Sequence, residues 1–297
     1  MAYTLKRLNE CTLDEAVQVW NEGFTGYYVD LSMTLERFHI RMLQEGLSPK
    51  LSFIAYMNGI PVGIVLNGIR VIQGRNVSWN GGTGISPEYR GMGIGKWMID
   101  QALTIYREEG VELATLEAIR ANERAIRLYL SKGYEIADEM THMTYEASLP
   151  ALLEAVATHS PYTYRHAAPH ELRDYENVMP WQLQWANYRW DGEVMFAYDQ
   201  KDRECAYALY RRIFDRNGRL AGISVGQCRL ISESESKDNS LLLRSLLARV
   251  LQPEMDGCRR TIMVRGTEAF LMEELSKLGF KPGASQVYMS RAMEGSI

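Results

Sequence analysis

The chain has 297 residues, more than one domain usually contains, so its length predicts two domains. Its hydrophobic content of 46% is enough for a large core. The formal net charge of −4 gives no general attraction to nucleic acid or to an anionic membrane, and we expect neither as a partner. The sequence shows neither a signal-peptide core nor a long uninterrupted apolar run, which predicts a cytoplasmic protein.

The first 147 residues predict a mixture of strands and helices. Capping residues and a helical apolar period predict helices over 12–23, 33–47, 96–109 and 122–132. Apolar or alternating runs predict strands over 3–8, 52–57, 61–69, 77–85, 111–119, 134–140 and 142–147. The pair Asn58-Gly59 is a strong hairpin signal between the second and third strands. This order predicts an α+β domain (α/β/α) whose mixed central sheet has an antiparallel start and a parallel centre.

The second half of the chain repeats this pattern. Residues 162–165 resemble residues 3–6, and Gly279-Phe280 stands where the first half has Gly133-Tyr134, each after a helical segment. An internal repeat of long period explains these matches economically. We therefore predict two tandem copies of one fold, 1–147 and 161–297, joined by a partly helical linker over 148–160.

A glycine-rich turn separates the strand 77–85 from the helix that follows it. It has the sequence Arg90-Gly91-Met92-Gly93-Ile94-Gly95-Lys96. Glycines lack a Cβ, and a helix N-terminus has unpaired N–H groups, so the turn predicts phosphate binding, to which Arg90 and Lys96 add positive charge. A P-loop is excluded because Trp97 stands where Ser or Thr is required. A dinucleotide fingerprint would need glycine in place of Lys96, and a tight turn without a ligand is the remaining alternative.

The spacing that does fit is R-x-x-G-x-G, filled by Arg90, Gly93 and Gly95. It resembles the acyl-CoA pyrophosphate loop of the GNAT family of N-acetyltransferases. The stretch 116–134 resembles the late strand and helix of the same family, with its Asn, Leu-Tyr and Gly-aromatic positions in register. The resemblance implies a tandem GNAT acyl-CoA N-acyltransferase fold. In the second copy the matching loop, 231–240, has no glycine and three carboxylates, which would repel a pyrophosphate, so we expect a degenerate, silent copy.

The resemblance also implies which residues contact acetyl-CoA, the expected co-substrate. The expected set is Ile85, Ser86, Arg90, Gly91, Met92, Gly93, Ile94, Gly95, Lys96, Asn122 and Tyr129. Ile85 would contribute its backbone groups to the pantetheine amides, so its side chain is not diagnostic. Asn122 has an equally plain role as a helix N-cap. No metal is expected, because the four cysteines and five histidines lack ligand spacing.

The implied reaction is attack of an amine on a thioester. It needs a base for the amine and an acid for the departing thiolate. Tyr129 is the candidate acid by family resemblance, although a tyrosine on an apolar helix face can also be a core residue. Glu117 is the candidate base because a carboxylate in an apolar strand tends to carry a raised pKa, and its position resembles that of the base in ribosomal-protein alanine N-acetyltransferases. A solvated or ion-paired Glu117, with a water chain as the base, is the alternative.

The resemblance therefore predicts an acetyl-CoA-dependent N-acetyltransferase whose acceptor is a primary amine, on a small molecule or at a peptide N-terminus. A non-catalytic acyl-CoA-binding sensor or interaction module is the rival hypothesis, because such a protein needs the loop but neither acid nor base. Transfer of a longer acyl chain is a third. The sequence leaves the acceptor and the oligomeric state open.

Overall fold

The computed structural model describes residues 3–146, 160–175, 179–231, 236–253, 255 and 259–293. These residues form two compact units, and neither unit is continuous in sequence. The described part of the first unit comprises residues 3–137, 179–181 and 286–293, and the second unit comprises the others. No helix among the described residues is long and apolar enough to span a bilayer.

The elements of the first unit agree with the sequence prediction as far as the fourth helix. Its first five strands are β1 (Tyr3–Arg7), β2 (Phe53–Met57), β3 (Ile60–Ile72), β4 (Arg75–Ile85) and β5 (Leu113–Ile119). Its helices are α1 (Leu13–Gly23), α2 (Leu35–Glu45), α3 (Ile94–Glu108) and α4 (Glu123–Leu130). The predicted ends differ from these by up to three residues.

Local signals set the ends of the first two helices. The Thr12 hydroxyl accepts a hydrogen bond from the backbone N–H of Glu15 at the start of α1, and Thr34 caps α2 in the same way through Arg37. Gly46 ends α2 with a φ of +66°, which glycine adopts without strain. These short-range contacts explain why both helices could be predicted from the sequence.

A pair of helices packs on each face of the strands of the first unit. Phe53 and Ala55 point into the cluster that contains α3 and α4, whereas Ile54, between them, points into the cluster that contains α1 and α2. This alternation follows from the two-residue period of a strand. The α/β/α layering is therefore confirmed.

The strands of the first unit have the order β1-β2-β3-β4-β5-β12, in which β12 (Lys281–Ala292) is the final strand of the described chain. The pairs from β1 to β4 are antiparallel and β4 with β5 is parallel, as predicted. β5 then pairs antiparallel with the end of β12, from Gln286 opposite Ile119 to Ala292 opposite Leu113. The first unit thus depends on a strand from the far end of the sequence.

The predicted closing strands of the first copy, 134–140 and 142–147, are wrong. One uninterrupted strand, β6 (Glu135–Tyr145), replaces them, because the stretch contains no glycine, proline or asparagine that would favour a turn. Its residues Met140–Tyr145 pair antiparallel with β11 (Arg259–Arg265) of the second unit. Local sequence signals do not specify which of two similar strands joins a given sheet edge.

Among its described residues, the second unit repeats the architecture with fewer α-helices than the first. Besides β6 and β11 it contains β7 (Thr163–Ala167), β8 (Gly192–Tyr198), β9 (Glu204–Phe214), β10 (Leu220–Leu230), α5 (Ser236–Leu251) and α6 (Ala269–Lys277). Its strand order is β6-β11-β10-β9-β8-β7, with β10 and β11 parallel. Short 3₁₀ turns at Pro169–Tyr175 and Trp185–Asn187 occupy the part of the sequence that corresponds to α1 and α2.

The helix ends show the repeat at atomic detail. Tyr134 N–H donates to the carbonyl of Tyr129 after α4, and Phe280 N–H donates to the carbonyl of Leu275 after α6. The intervening glycines have φ values of +77° and +91°. The two copies therefore end their last helices in the same way, with Leu275 at the position of Tyr129.

The sequence-based domains, 1–147 and 161–297, describe the repeat, and as domain boundaries they stay a prediction. The packed units follow a different division, because β6 leaves the first unit while residues 286–293 join it. The linker 148–160, except for Ser160, lies outside the described residues. So do residues 232–235 of the second copy's loop, whose inability to bind phosphate stays a prediction.

Candidate active site

A pocket of about 500 Å³ lies in the first unit, at the end of β4 and the start of α3. Its walls come from the loop after α1, the end of β4, the glycine turn and α4. The lining residues are Gly23, Phe24, Gly26, Tyr27, Tyr28, Thr83, Ile85, Arg90, Gly91, Gly93, Gly95, Lys96, Asn122, Arg124, Ala125, Leu128 and Tyr129. Segments distant in sequence thus converge on one cavity.

The glycine turn gives one side of the pocket the character of an anion site. Gly91 and Gly93 have φ values of +91° and +86°, so both need the left-handed conformation that glycine tolerates. Gly93 is the N-cap of α3 and has no side chain to occupy the first N–H groups of the helix. A Cβ on Gly95 would approach Ile85 Cδ1 at 3.0 Å, at the pocket wall. The turn therefore presents unshielded backbone donors to the pocket.

Three cationic side chains line the same pocket: Arg90, Lys96 and Arg124. The Arg124 guanidinium lies beside the turn, because a Cβ built on Gly91 would be 3.6 Å from its Nη2. This third cation was not predicted from the sequence, since its motif position carried no signal for phosphate. Together with the helix N-terminus, these charges favour a polyanion.

Arg90 has a second function in the structure. Its Nε donates to the carbonyl of Ile85 at 2.9 Å, and its Nη2 donates to the carbonyls of Gly23 and Thr25 at 3.1 and 2.8 Å. The guanidinium thus joins the end of α1 to the end of β4. Its charge faces the pocket, but part of its hydrogen-bonding capacity is used to hold the pocket wall together.

Tyr129 lies where the pocket meets the core. Its side chain is 8% exposed and lines the pocket. Burial raises the pKa of the phenol to about 12, and a hydrogen bond with Thr83 opposes part of this effect. At neutral pH the phenol is therefore protonated and able to donate a hydrogen bond.

Asn122 is the N-cap of α4 and also lines the pocket. Its Oδ1 accepts a hydrogen bond from the backbone N–H of Ala125 at 3.2 Å, which caps α4. Its Nδ2 lies 3.5 Å from the hydroxyl of Tyr27, across the pocket wall. Tyr27 belongs to an aromatic group in the loop after α1, in which its ring packs edge to face against both Phe24 and Tyr28. The loop is thereby connected to α4.

Glu117 is not among the residues that line this pocket. Glu117 is a half-buried residue, and each carboxylate oxygen accepts a hydrogen bond, Oε2 from the indole N–H of Trp79 and Oε1 from the backbone N–H of Trp181 at 2.9 Å. Burial raises the pKa of Glu117 to about 7, and these two donors keep it from rising further. It alternates with Leu116 and Ala118, which point to the α3 and α4 side.

The structure brings together eight of the sequence-predicted site residues: Ile85, Arg90, Gly91, Gly93, Gly95, Lys96, Asn122 and Tyr129. Three other candidates are placed differently. Ser86 and Ile94 are buried, and Met92 is exposed while its carbonyl accepts a hydrogen bond from the Tyr3 hydroxyl at 2.8 Å. Their side chains do not line the pocket.

Sequence reasoning missed half of the pocket wall, namely Gly23, Phe24, Gly26, Tyr27, Tyr28, Thr83, Arg124, Ala125 and Leu128. The loop after α1 carried one usable signal. Three aromatic residues around Gly26 are unusual in a short connection, where polar residues are expected. Among the described residues no group of three or more His, Cys, Asp or Glu is arranged to hold a metal.

The chain has relatives among known proteins. Residues 13–134 match the model of the acetyltransferase (GNAT) family, so this region of the chain is a GNAT domain. A relative, mycothiol acetyltransferase of Propionibacterium freudenreichii subsp. shermanii, is 28% identical over 148 residues, which are 50% of this chain and 47% of the relative. The chain spans about half the length of the curated relatives it matches.

Solved structures extend the likeness to the whole chain. A GCN5-related glucosamine N-acetyltransferase region of a fungal multi-domain GH3 beta-N-acetylglucosaminidase has a TM-score of 0.69 at 16% identity, over 97% of this chain and 38% of that one. A tandem GNAT protein from the clavulanic acid biosynthesis pathway has a TM-score of 0.62 at 13% identity, over 100% and 99%. At these identities the likeness concerns the fold, which is that of two GNAT domains in tandem.

Proposed function

We propose that the protein transfers an acetyl group from acetyl-CoA to a primary amine, and that the first copy performs the reaction. The observation that carries the proposal is the single pocket into which the glycine turn, the N-terminus of α3 and the phenol of Tyr129 converge. Membership of the GNAT family supports acyl transfer, and the name of the mycothiol relative supports acetyl as the group transferred.

The pocket's polyanion end fits the pyrophosphate of coenzyme A. The unshielded N–H groups at the start of α3 would bind phosphate oxygens, and Lys96 and Arg124 would add charge. The pocket wall also contains aromatic and aliphatic residues, among them Phe24, Tyr27 and Leu128, which suit the less polar pantetheine arm. A pocket of this composition favours a long ligand with one charged end.

Tyr129 is proposed to act as the acid. Attack of the amine nitrogen on the thioester carbonyl forms a tetrahedral intermediate, and its collapse breaks the carbon–sulfur bond. The electron pair goes to sulfur, and the phenol of Tyr129 donates a hydrogen bond or a proton to that sulfur. With a pKa of about 12 the phenol is always in its donating form in a neutral assay.

The proton that the amine loses goes to Glu117 or to water. A pKa of about 7 suits Glu117 to accept a proton near neutral pH. Its absence from the pocket lining means that a water molecule would have to connect it to the amine. Bulk water alone is the competing base, and the pH dependence of the rate distinguishes the two.

The test is release of thiol from acetyl-CoA, measured colorimetrically with the full chain. Polyamines, aminoglycosides, amino acids and short peptides serve as acceptors, and Tyr129→Phe is measured in parallel. Turnover with one amine class that falls in the variant supports the proposal and identifies the acceptor class. Tight binding of acetyl-CoA by calorimetry without turnover for any acceptor would instead support a sensor.

A further inference from the structure

A second cluster of the first unit surrounds Glu117, on the α1 and α2 side of the sheet. The carboxylate is held by two donors from different parts of the sequence. The indole N–H of Trp79 comes from β4, and the backbone N–H of Trp181 comes from the short segment 179–181. Two donors to separate oxygens leave the carboxylate little freedom to rotate, and both favour its charged form.

The two tryptophans are themselves fixed. Their rings stack with centroids 5.5 Å apart and planes 10° apart, and both are at most 1% exposed. The Trp181 indole N–H donates to the carbonyl of Glu45 at 2.8 Å, and the Arg70 guanidinium lies 4.0 Å above the Trp181 ring. Trp181 is therefore held by its ring face, its ring edge and its backbone, so the position of its N–H is determined.

We propose that Trp79 and Trp181 form a two-donor clip that fixes the Glu117 carboxylate, which makes both tryptophans positioning residues for the reaction. The inference rests on the proposed function, in which Glu117 is a candidate base. Because Trp181 belongs to the second half of the sequence, it also gives that half a part in catalysis. The second half then supplies more than a silent copy of the fold.

The electrostatic surroundings explain what the clip does. The largest influence on the Glu117 carboxyl is burial, which raises its pKa to about 7, and Glu45 of α2 adds to this rise. The other charged or titratable groups around it are Arg41, paired with Glu45 at 2.7 Å, Arg70, and Tyr288, which stands opposite Glu117 in β12. The two N–H donors oppose burial and keep the carboxyl ionisable near neutral pH.

The decisive variant is Trp79→Phe, which removes one donor to Glu117 but keeps an aromatic ring in the stack. Loss of the donor destabilises the carboxylate, so the pKa of Glu117 rises. The acidic limb of the kcat/KM profile for acetyl transfer should then move upward by about one pH unit. Trp20→Phe is the matched control, because Trp20 is equally buried and its indole N–H donates to the carbonyl of Leu31 at 2.8 Å. The control should leave the limb where it is.

A second measurement does not need turnover. Trp79 touches the titrating carboxyl, so intrinsic tryptophan fluorescence of the unchanged protein should show a transition near pH 7 that Glu117→Gln removes. Its persistence in Glu117→Gln, or an unmoved limb in Trp79→Phe, would overturn the clip. Lack of turnover in the unchanged protein would overturn the proposed function instead, while the fluorescence titration would still decide on the clip.

Discussion

The rings of Tyr129 and Tyr134 pack edge to face at the end of α4, with centroids 6.0 Å apart and planes inclined by 63°. Tyr129 lines the pocket, whereas Tyr134 is 2% exposed and packs into the core beneath it. Burial raises the pKa of both phenols. Both phenols are buried in one cluster, but of the two only Tyr129 lines the pocket. A chemical role is therefore open to Tyr129, whereas Tyr134 has a packing role.

Replacing Tyr129 by Phe should lower kcat by about 10²-fold or more, because a general acid typically contributes this much. The dissociation constant for acetyl-CoA should stay within about threefold, since the ring remains. Tyr134→Phe removes the same atom from a neighbouring buried ring and should keep kcat. Calorimetry and steady-state kinetics on both variants make the comparison. Equal activity of the two variants would show that Tyr129 has only a packing role.

The rate of acetyl transfer should rise with pH through a midpoint near 7. Glu117 is a base only when deprotonated, and burial raises its pKa to about 7. Tyr129 should cause no fall below about pH 11, because its pKa of about 12 keeps the phenol protonated there. The profile of kcat/KM for the unchanged protein and for Glu117→Gln tests this. If kcat/KM rises with pH in the same way in both proteins, water is the base.

The raised pKa of Glu117 should also make thermal stability depend on pH. The pKa of Glu117 is about 7 in the folded state and 4.5 as its ordinary value, so between these pH values the folded state binds the extra proton. Stability contributed by this group is therefore lost as pH rises from about 4.5 to 7. The Tm of the unchanged protein should fall across this window relative to that of Glu117→Gln. A Tm difference that is independent of pH would contradict the raised pKa.

Arg90 and Arg124 should differ in their effect on folding. Arg90→Gln breaks the contacts with three backbone carbonyls, each worth about 1 kcal/mol or more, and the Tm should fall by several degrees. Arg124→Gln removes a cation beside the turn and should weaken acetyl-CoA binding with little change in Tm. Differential scanning calorimetry with and without the ligand measures both. Equal Tm values for Arg90→Gln and Arg124→Gln would show that the three backbone contacts of Arg90 do not stabilise the fold.

The glycine turn should tolerate one alanine and not another. Gly93→Ala places a Cβ on a residue with φ of +86°, and this strain of roughly 1 kcal/mol should distort the turn and weaken donor binding. Gly95 needs no such φ, and its Cβ would meet only the flexible ends of Ile85 and Leu128, at 3.0 and 3.4 Å. We expect Gly95→Ala to bind acetyl-CoA within about threefold of the unchanged protein. The opposite order of affinities would argue against the assigned geometry.

Short-range signals in the sequence predicted the part of the site that lies within consecutive elements. The turn from Arg90 to Lys96 and the cap at Asn122 depend on neighbouring residues, and both have the expected geometry. The partners of Glu117 could not be predicted, because Trp181 reaches it from a segment 64 residues away. The side chain of Trp181 is buried, and its backbone N–H has a separate role that no local sequence signal indicates.

The prediction of the closing strands failed for a related reason. Both β6 and β12 could complete a sheet edge by their sequences, and the choice between them is made by non-local contacts. The degree of likeness between the copies explains the exchange. Because the two copies are similar, a strand of one copy can pair in the corresponding position of the other. The sequence of either strand alone does not reveal which copy it joins.

The pairing of β5 with β12 imposes an order of events on synthesis. The ribosome completes β5 long before it reaches Gln286, and the strand that follows, β6, pairs with β11 instead. Until the last strand emerges, the edge of β5 presents unpaired N–H and C=O groups that can recruit strands from other nascent chains. A released chain that is truncated at residue 280 should therefore be cleaved readily near β5 by a protease, and one that includes residues 281–293 should resist.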